Sequence, residues 1–336
     1  MTLRGALAAV AAMGMALVVS GCSAGPPEAG GVATSVASRA PISAPTAAPG
    51  TPKVPVTVTS DDSAQVEVAS LERVLVLDDA TIEIAHALGV GDKIAIAPQE
   101  SLVPELADQA GTRIATAGQG ALTVEGIVAF EPTLVVASNM RRHADLVTGL
   151  RKVSVPAVLI DTSQPAPDKI RKTAAVFGVA ATGDQLATEV QAQIQQAAEK
   201  VNDVPEAQRP RVMMLSSSGA GDSGQTTAAG KSTPVHEIIT MAGGINAGAE
   251  AGLDRFQSIT AEGLIAARPE VIVVAQSELD DLGGHDGIWA KIPGLSGTPA
   301  AEKKSLIVME DVQVRMSGVS TGVSALTLQS ALYPGR

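Results

Sequence analysis

Two stretches of the sequence carry the same pattern, LTVEGIVAFEPTLVVA at residues 122–137 and ITAEGLIAARPEVIVV at residues 259–274. Glu125 of the first copy corresponds to Glu262 of the second, and Thr, Gly, Ala and Pro also recur at matching positions. Each copy predicts a helix that Thr caps and Pro ends, followed directly by a buried strand. Two copies of one helix–strand unit indicate two similar lobes. A duplication inside a single sheet is the alternative.

Strands and helices alternate on both sides of one long polar segment, residues 184–202, which contains no Gly or Pro and predicts a helix. Short runs rich in Val, Ile and Leu predict strands at 73–77, 93–97, 133–137, 157–160, 211–216, 271–275 and 306–309. Helices are predicted at 81–89, 123–130, 146–153, 235–242, 260–267 and 320–332. This alternation predicts an α/β fold with parallel sheets covered on both faces. We expect an N-terminal lobe at 70–180, a connecting helix at 183–203 and a C-terminal lobe at 210–336, with the ligand cleft between the lobes.

The first 22 residues are typical of an exported lipoprotein. Arg4 precedes an apolar run at residues 6–19, which is shorter than the roughly 20 residues that a membrane span needs. The run leads into VSGC at residues 19–22, and Cys22 is the only cysteine. We therefore expect a signal peptide at residues 1–21 and a lipidated Cys22 that anchors the chain to the outer face of the cytoplasmic membrane. The alternative is an unmodified, buried cysteine after an ordinary signal peptide.

Composition limits the kinds of partner and metal site that the chain could have. Residues after Cys22 up to about residue 60 are rich in Pro, Ala, Ser and Thr, which predicts a disordered tether at 22–60. A net charge of −11 argues against nucleic acid and against an anionic membrane surface as partners. With Cys22 used for lipid, no thiol is left for a disulfide or a thiolate metal site, and the 4 histidines show no metal-ligand spacing. We expect no intrinsic cofactor.

Short motifs connect the two repeats to a known group of proteins. They are TIEIAHALG at 81–89, GGIN at 243–246, LGGHDG at 282–287 and ALYP at 331–334. Together with the repeats, they resemble the substrate-binding lipoproteins of haem importers, within the larger family that serves iron-chelate and corrinoid uptake. The resemblance implies two Rossmann-like lobes joined by a long single helix. It also implies a monomer that binds ligand in the cleft and docks on an ABC permease dimer driven by a cytoplasmic ATPase.

The resemblance assigns a docking role to Glu125 and Glu262, since one glutamate on each lobe meets arginines of the permease in the family. Both residues also fall near a predicted helix N-terminus, where a carboxylate is favoured by roughly 0.3–1 kcal/mol. Capping is therefore the alternative explanation for both.

The transported ligand is expected to be an iron or cobalt chelate, with haem first and a corrinoid or a ferric siderophore as the alternative. Relatives hold haem iron through Tyr or His just before the first repeat. Here that window, residues 117–121, reads AGQGA and offers Gln119. The matching position before the second repeat holds Phe256, which can stack on a flat ring. A ligand other than haem, loss of function and a secreted enzyme remain open, although no catalytic set stands at recognisable spacing, and we expect no enzyme.

A basic cluster follows the strand of the first repeat, where open α/β sheets bind ligands. His143 is the candidate iron ligand, and Arg141 or Arg142 could pair with the haem propionates. A solvated basic loop with a surface histidine is the alternative. Further cleft candidates are Met140 beside this cluster and, on the second lobe, Arg255, Arg315 and Met316.

Overall fold

A computed structural model describes residues 43–116, 122–217 and 226–336, which belong to one compact unit. The predicted signal peptide, Cys22 and Gln119 lie outside the described residues. Among the helices of the three described ranges, none is both long and apolar enough to cross a bilayer.

The N-terminal lobe is built on a five-stranded parallel sheet in the order β5-β4-β3-β6-β7. A two-stranded antiparallel hairpin, β1 and β2, precedes it. The chain leaves the first strand, β3, towards one edge and then returns to its other side at β6, as in a Rossmann-like sheet. The elements are β1 Val56–Thr59, β2 Gln65–Val68, β3 Val74–Val76, α1 Asp79–Ala87, β4 Ile94–Pro98, α2 Pro104–Ala107, β5 Thr112–Ile114, α3 Val124–Val128, β6 Leu134–Ser138, α4 Arg141–Lys152, β7 Ala157–Ile160 and α5 Ala166–Val176.

The long helix α6, Ala180–Glu199, leads to the C-terminal lobe. Its elements are β8 Arg211–Ser216, β9 Thr227–Ala229, α7 Pro234–Met241, β10 Ile245–Asn246, α8 Ala247–Glu250, β11 Phe256–Ser258, α9 Ala261–Ala267, β12 Val271–Ala275, α10 Gly284–Lys291, α11 Pro299–Lys303, β13 Leu306–Met309, α12 Asp311–Arg315 and α13 Thr321–Leu332. The strand order is β11-β9-β8-β12-β13, with β10 beside β8. Strands β9 and β11 run antiparallel to their neighbours. This sheet is therefore mixed, whereas the sequence predicts a purely parallel sheet.

Alternation along each strand gives both sheets two buried faces. In the N-terminal lobe, Val74 and Val76 pack with α1, α5 and α6 on one face, while Leu75 packs with α3 and α4 on the other. In the C-terminal lobe, Met213 and Met214 divide the two faces in the same way. The expectation of an α/β fold with helices on both faces is therefore confirmed, and most side chains of the core are aliphatic.

The two lobes meet where α1 faces the N-terminus of α13. The carboxylate of Glu83 accepts hydrogen bonds from the backbone N–H groups of Val319 at 2.8 Å and of Ser320 at 3.1 Å. Gly318 makes this approach possible, because a Cβ there would lie 2.3 Å from Oε2 of Glu83. Helix α6 packs against both α5 and α13 and so contacts both lobes. One carboxylate of the N-terminal lobe therefore satisfies two backbone donors that immediately precede a helix of the other lobe.

The tether predicted at 22–60 extends too far. From Ala47 onward the chain contacts the lobe, since Ala47 N donates to Ala87 O at 2.9 Å and Lys53 N donates to Gly178 O at 3.0 Å. Strand β1 then pairs with β2. The hairpin is held by Asp62, which pairs with Arg151 of α4 at 2.5 Å. This pairing lowers the pKa of Asp62 to about 2.

Candidate functional site

The first part of the candidate site is the carboxyl edge of the N-terminal sheet, at the point between β3 and β6 where the chain direction across the sheet reverses. Open α/β sheets bind ligands at such a switch point. Asp78 follows β3 and caps α1, accepting from the N–H of Thr81 at 2.9 Å and from its hydroxyl at 2.7 Å. Ser138 ends β6 and is buried. Both side chains are thus fixed by the ends of central strands.

His143 lies directly behind this edge. Residues 141–143 form the first turn of α4, which begins at Arg141, five residues before the predicted helix start at 146. The His143 side chain is only 2% exposed, and its Nδ1 lies 2.9 Å from the Ser138 hydroxyl oxygen. Its Nε2 is buried and has no hydrogen-bond partner among the described residues. Burial lowers the pKa of His143 below its ordinary 6.5, and the charge of Arg142 lowers it further.

A surface histidine on a basic loop is therefore the wrong description of His143, although its neighbours Met140, Arg141 and Arg142 are exposed. Because its pKa is lowered, the ring is neutral near pH 7, and neutral imidazole is the form that binds metals. Because Nε2 is buried, binding of iron through it would require a local movement that exposes this atom.

A buried lysine that sequence reasoning missed completes the N-terminal edge. Lys169 of α5 is 3% exposed, and its ammonium group donates to the Thr162 carbonyl at 3.3 Å. Burial lowers its pKa, while the carboxylates of Asp78 in the same lobe and of Glu237 in the other lobe oppose that shift. The buried ammonium group of Lys169 is therefore influenced by carboxylates from both lobes.

The carboxyl edge of the C-terminal sheet carries an ion pair that also went unpredicted. Arg315 of α12 contacts Glu278, after β12, at 2.6 Å and Asp311 at 3.4 Å. Glu278 also accepts from the hydroxyl of Ser216, the last residue of β8, at 2.8 Å. Arg315 was expected to offer its charge to a ligand. Instead, Arg315 is paired with carboxylates of its own lobe, which makes it less available to pair with haem propionates.

The other candidates of the second lobe differ in exposure. Met316 was expected to line the cleft, but it is 4% exposed and packs with the core of the N-terminal lobe. It is therefore part of the contact between the lobes. Arg255 is exposed, and Phe256 begins the edge strand β11 and is half-buried against the core. Tyr333 has a structural role, since its hydroxyl donates to the Gly243 carbonyl at 2.7 Å.

Two cavities bear on the location of the site. One of about 440 Å³ adjoins the carboxyl edge of the C-terminal sheet and presents the hydroxyl-bearing residues Ser217, Thr226, Ser258 and Thr260. A larger one of about 780 Å³ lies between β1 and the α5–α6 turn, away from both carboxyl edges. The smaller cavity is the one placed where α/β sheets bind ligands. Within the described ranges, no cluster of three or more His, Cys, Asp or Glu residues is arranged to hold a bare metal ion.

The repeated segments take equivalent places in the two lobes. Thr123 caps α3 by accepting from Gly126 N at 3.0 Å, and Thr260 caps α9 by accepting from Gly263 N at 3.1 Å. The strands that follow, β6 and β12, each lie beside the first strand of their sheet. Glu125 and Glu262 lie in the first turns of α3 and α9 and are exposed, and neither caps its own helix with its side chain.

Comparison with known proteins finds one matching family and several similar binding proteins. The model of the periplasmic binding protein family matches residues 74–312. A periplasmic haem-binding protein, RhuT from Roseiflexus, is 31% identical with a TM-score of 0.67, over 78% of this chain and 98% of that protein. The haem-binding protein HmuT is 26% identical with a TM-score of 0.73, over 87% of this chain and 96% of that protein. A vitamin B12-binding protein of Vibrio campbellii is 26% identical over 222 residues, which is 66% of this chain and 75% of that protein.

The family match spans more than half of the chain and contains both copies of the repeat. The α/β fold with two lobes agrees with it. This chain belongs to the periplasmic binding protein family.

Proposed function

We propose that this protein is the extracytoplasmic, lipid-anchored substrate-binding protein of an ABC importer and that its ligand is haem. The observation that carries the proposal is the 31% identity to a haem-binding protein along 98% of that protein's length. The lipid would be attached at Cys22. Release of the protein from membranes in Cys22→Ser would test the anchor.

The chemistry at the switch point supports an iron-containing ligand. His143 supplies a neutral imidazole whose Nδ1 is oriented by Ser138, and its Nε2 has no competing partner among the described residues. A hydrogen bond to the second ring nitrogen is the usual way in which proteins orient a metal-binding histidine. Arg141 and Arg142 lie exposed in the same turn and can reach outward to carboxylates. The site therefore joins an iron ligand to cations suited to propionates.

Isothermal titration of the protein from residue 23 onward tests the ligand class directly. Haemin should bind in a saturable, one-to-one manner. Cyanocobalamin and a ferric hydroxamate siderophore should bind much more weakly. Tight binding of either one together with weak binding of haemin would replace the haem assignment and leave the importer role in place.

A corrinoid is the second candidate, and two observations favour it. Vitamin B12-binding proteins are among the relatives, and Arg315 is already paired with carboxylates. A corrinoid carries neutral amide side chains, which hydroxyl groups such as Ser217 and Thr260 at the cavity of about 440 Å³ could bind.

A further inference from the structure

Two exposed aliphatic side chains occupy the same position in the two copies of the repeat. Val128 of α3 is 38% exposed and Ile265 of α9 is 45% exposed. Each follows the glutamate of its copy, Glu125 or Glu262, by three residues. Side chains three positions apart lie on one face of a helix. Each lobe therefore presents a carboxylate and an aliphatic group side by side, and we call these two pairs the twin patches.

The opposite faces of both helices already form the core. Ile127 of α3 is 2% exposed and Leu264 of α9 is fully buried. Packing within each lobe explains why Ile127 and Leu264 are apolar. It does not account for the apolar character of Val128 and Ile265, which remain partly exposed. Among the described residues, no ion pair or side-chain hydrogen bond is formed by Glu125 or Glu262. The twin patches are therefore open to a partner.

The direction of the helices places the twin patches beside the ligand edges. In an α/β unit, a helix runs antiparallel to the strand that follows it. The N-termini of α3 and α9 therefore point towards the carboxyl edges of their sheets, where ligand is expected. A partner that contacts both patches would face the ligand site.

We propose that Val128 and Ile265 are apolar anchors through which the protein docks on its permease. This inference rests on the proposed importer function and extends the glutamate contacts that the family resemblance implies. The twin patches are related by the repeat, so the partner they fit offers two equivalent surfaces, as a permease dimer does. Each surface would carry a basic side chain for the carboxylate and an apolar neighbour for the aliphatic group.

Two exposed carboxylates alone would give only weak docking. An exposed ion pair stays hydrated and contributes little to association. When an aliphatic neighbour excludes water from the contact, it adds its own buried area and strengthens the adjoining pair. Binding through the apolar anchors should also survive high salt, which screens exposed ion pairs.

The test measures binding of the mature protein to the purified permease–ATPase complex in lipid nanodiscs, at low and at high salt. The variants are Val128→Ser with Ile265→Ser, Glu125→Gln with Glu262→Gln, and Val153→Ser as the matched control. Val153 is an aliphatic residue, 53% exposed, at the opposite end of its lobe after α4. We expect the serine pair to weaken binding about tenfold or more and to abolish the salt-resistant part. The control should match wild type.

Two results would overturn the inference in distinguishable ways. If the serine pair binds like wild type while the glutamine pair loses affinity, docking stands and the apolar anchors are wrong. If wild type binds haemin but not the nanodisc complex, the importer role itself fails. Thermal unfolding of each variant excludes misfolding, and Val128→Ala with Ile265→Ala replaces the serine pair if that pair is destabilised.

Discussion

The two ring nitrogens of His143 are both buried, and only one of them has a hydrogen-bond partner among the described residues. Ser138 contacts Nδ1 at 2.9 Å, while Nε2 is buried without a partner among the described residues. A buried polar atom without a partner costs free energy, so such an atom often marks a functional position. In this protein it lies at the switch point of the sheet, where the ligand of an α/β lobe is expected.

The pH dependence of haemin binding follows from the surroundings of His143. Because burial and Arg142 lower its pKa below 6.5, the neutral, metal-binding form persists as the pH falls to that value. We therefore expect haemin affinity to stay nearly constant from about pH 8 to about pH 6.5 and to fall only at lower pH. Haemin titrations across this range measure it. A loss of affinity that is already complete at pH 6.5 would contradict the lowered pKa.

The sequence could indicate which residues carry charge but not which of them are already paired. Arg315 looked available for a ligand because the partner that it contacts at 2.6 Å, Glu278, is distant in sequence, although Asp311 on the same helix is a local partner. Lys169 was missed for the same reason, since its acidic neighbours come from different elements and from both lobes. Long-range pairing of this kind leaves no local signal in a single sequence.

Among the elements, those with local signals were predicted well. The repeats were predicted because Thr caps, Pro and aliphatic runs are close together, and the structure confirms both helices and both strands. The start of α4 was missed because Met140, its N-cap, makes no side-chain cap. Strand β1, at residues 56–59, was included in the predicted tether because of the Pro and Thr content there, although its alternating Val residues do indicate a strand.

The junction between α1 and α13 gives a stability prediction at the level of elements. Glu83→Ala removes the acceptor of two N–H groups, those of Val319 and Ser320, which are both buried. We expect it to lower the free energy of unfolding by about 2–4 kcal/mol, since each buried donor left unsatisfied costs about 1–3 kcal/mol. Urea unfolding at neutral pH measures the loss.

Glu67→Ala is the matched control for this prediction. Glu67 lies exposed on β2, and its removal should change the free energy of unfolding by no more than about 0.5 kcal/mol. If Glu83→Ala and Glu67→Ala unfold at the same urea concentration, the Glu83 contact does not hold the lobes together.

Burial also raises the pKa of Glu83 above 4.5, so its native state binds more protons. The stability that this group contributes should thus decrease as the pH rises from 4.5 through the raised pKa.

The whole molecule combines two similar lobes with ligand edges of different character. The N-terminal edge surrounds a buried lysine and His143, whereas the C-terminal edge offers hydroxyl groups and an internally paired arginine. The twin patches of the two lobes resemble each other more closely than the two ligand edges do. The two lobes are therefore more alike in their exposed patches than in the side chains at their carboxyl edges.

The absorption spectrum of haemin bound to wild type, His143→Ala and His285→Ala tests the central claim most directly. His285 is exposed at the start of α10 and serves as the matched control. We predict a sharpened, saturable Soret band in wild type and in His285→Ala. In His143→Ala the band should shift, and haemin affinity should fall about tenfold or more. An unchanged spectrum and affinity in His143→Ala, or no haemin spectrum in wild type, would contradict the account.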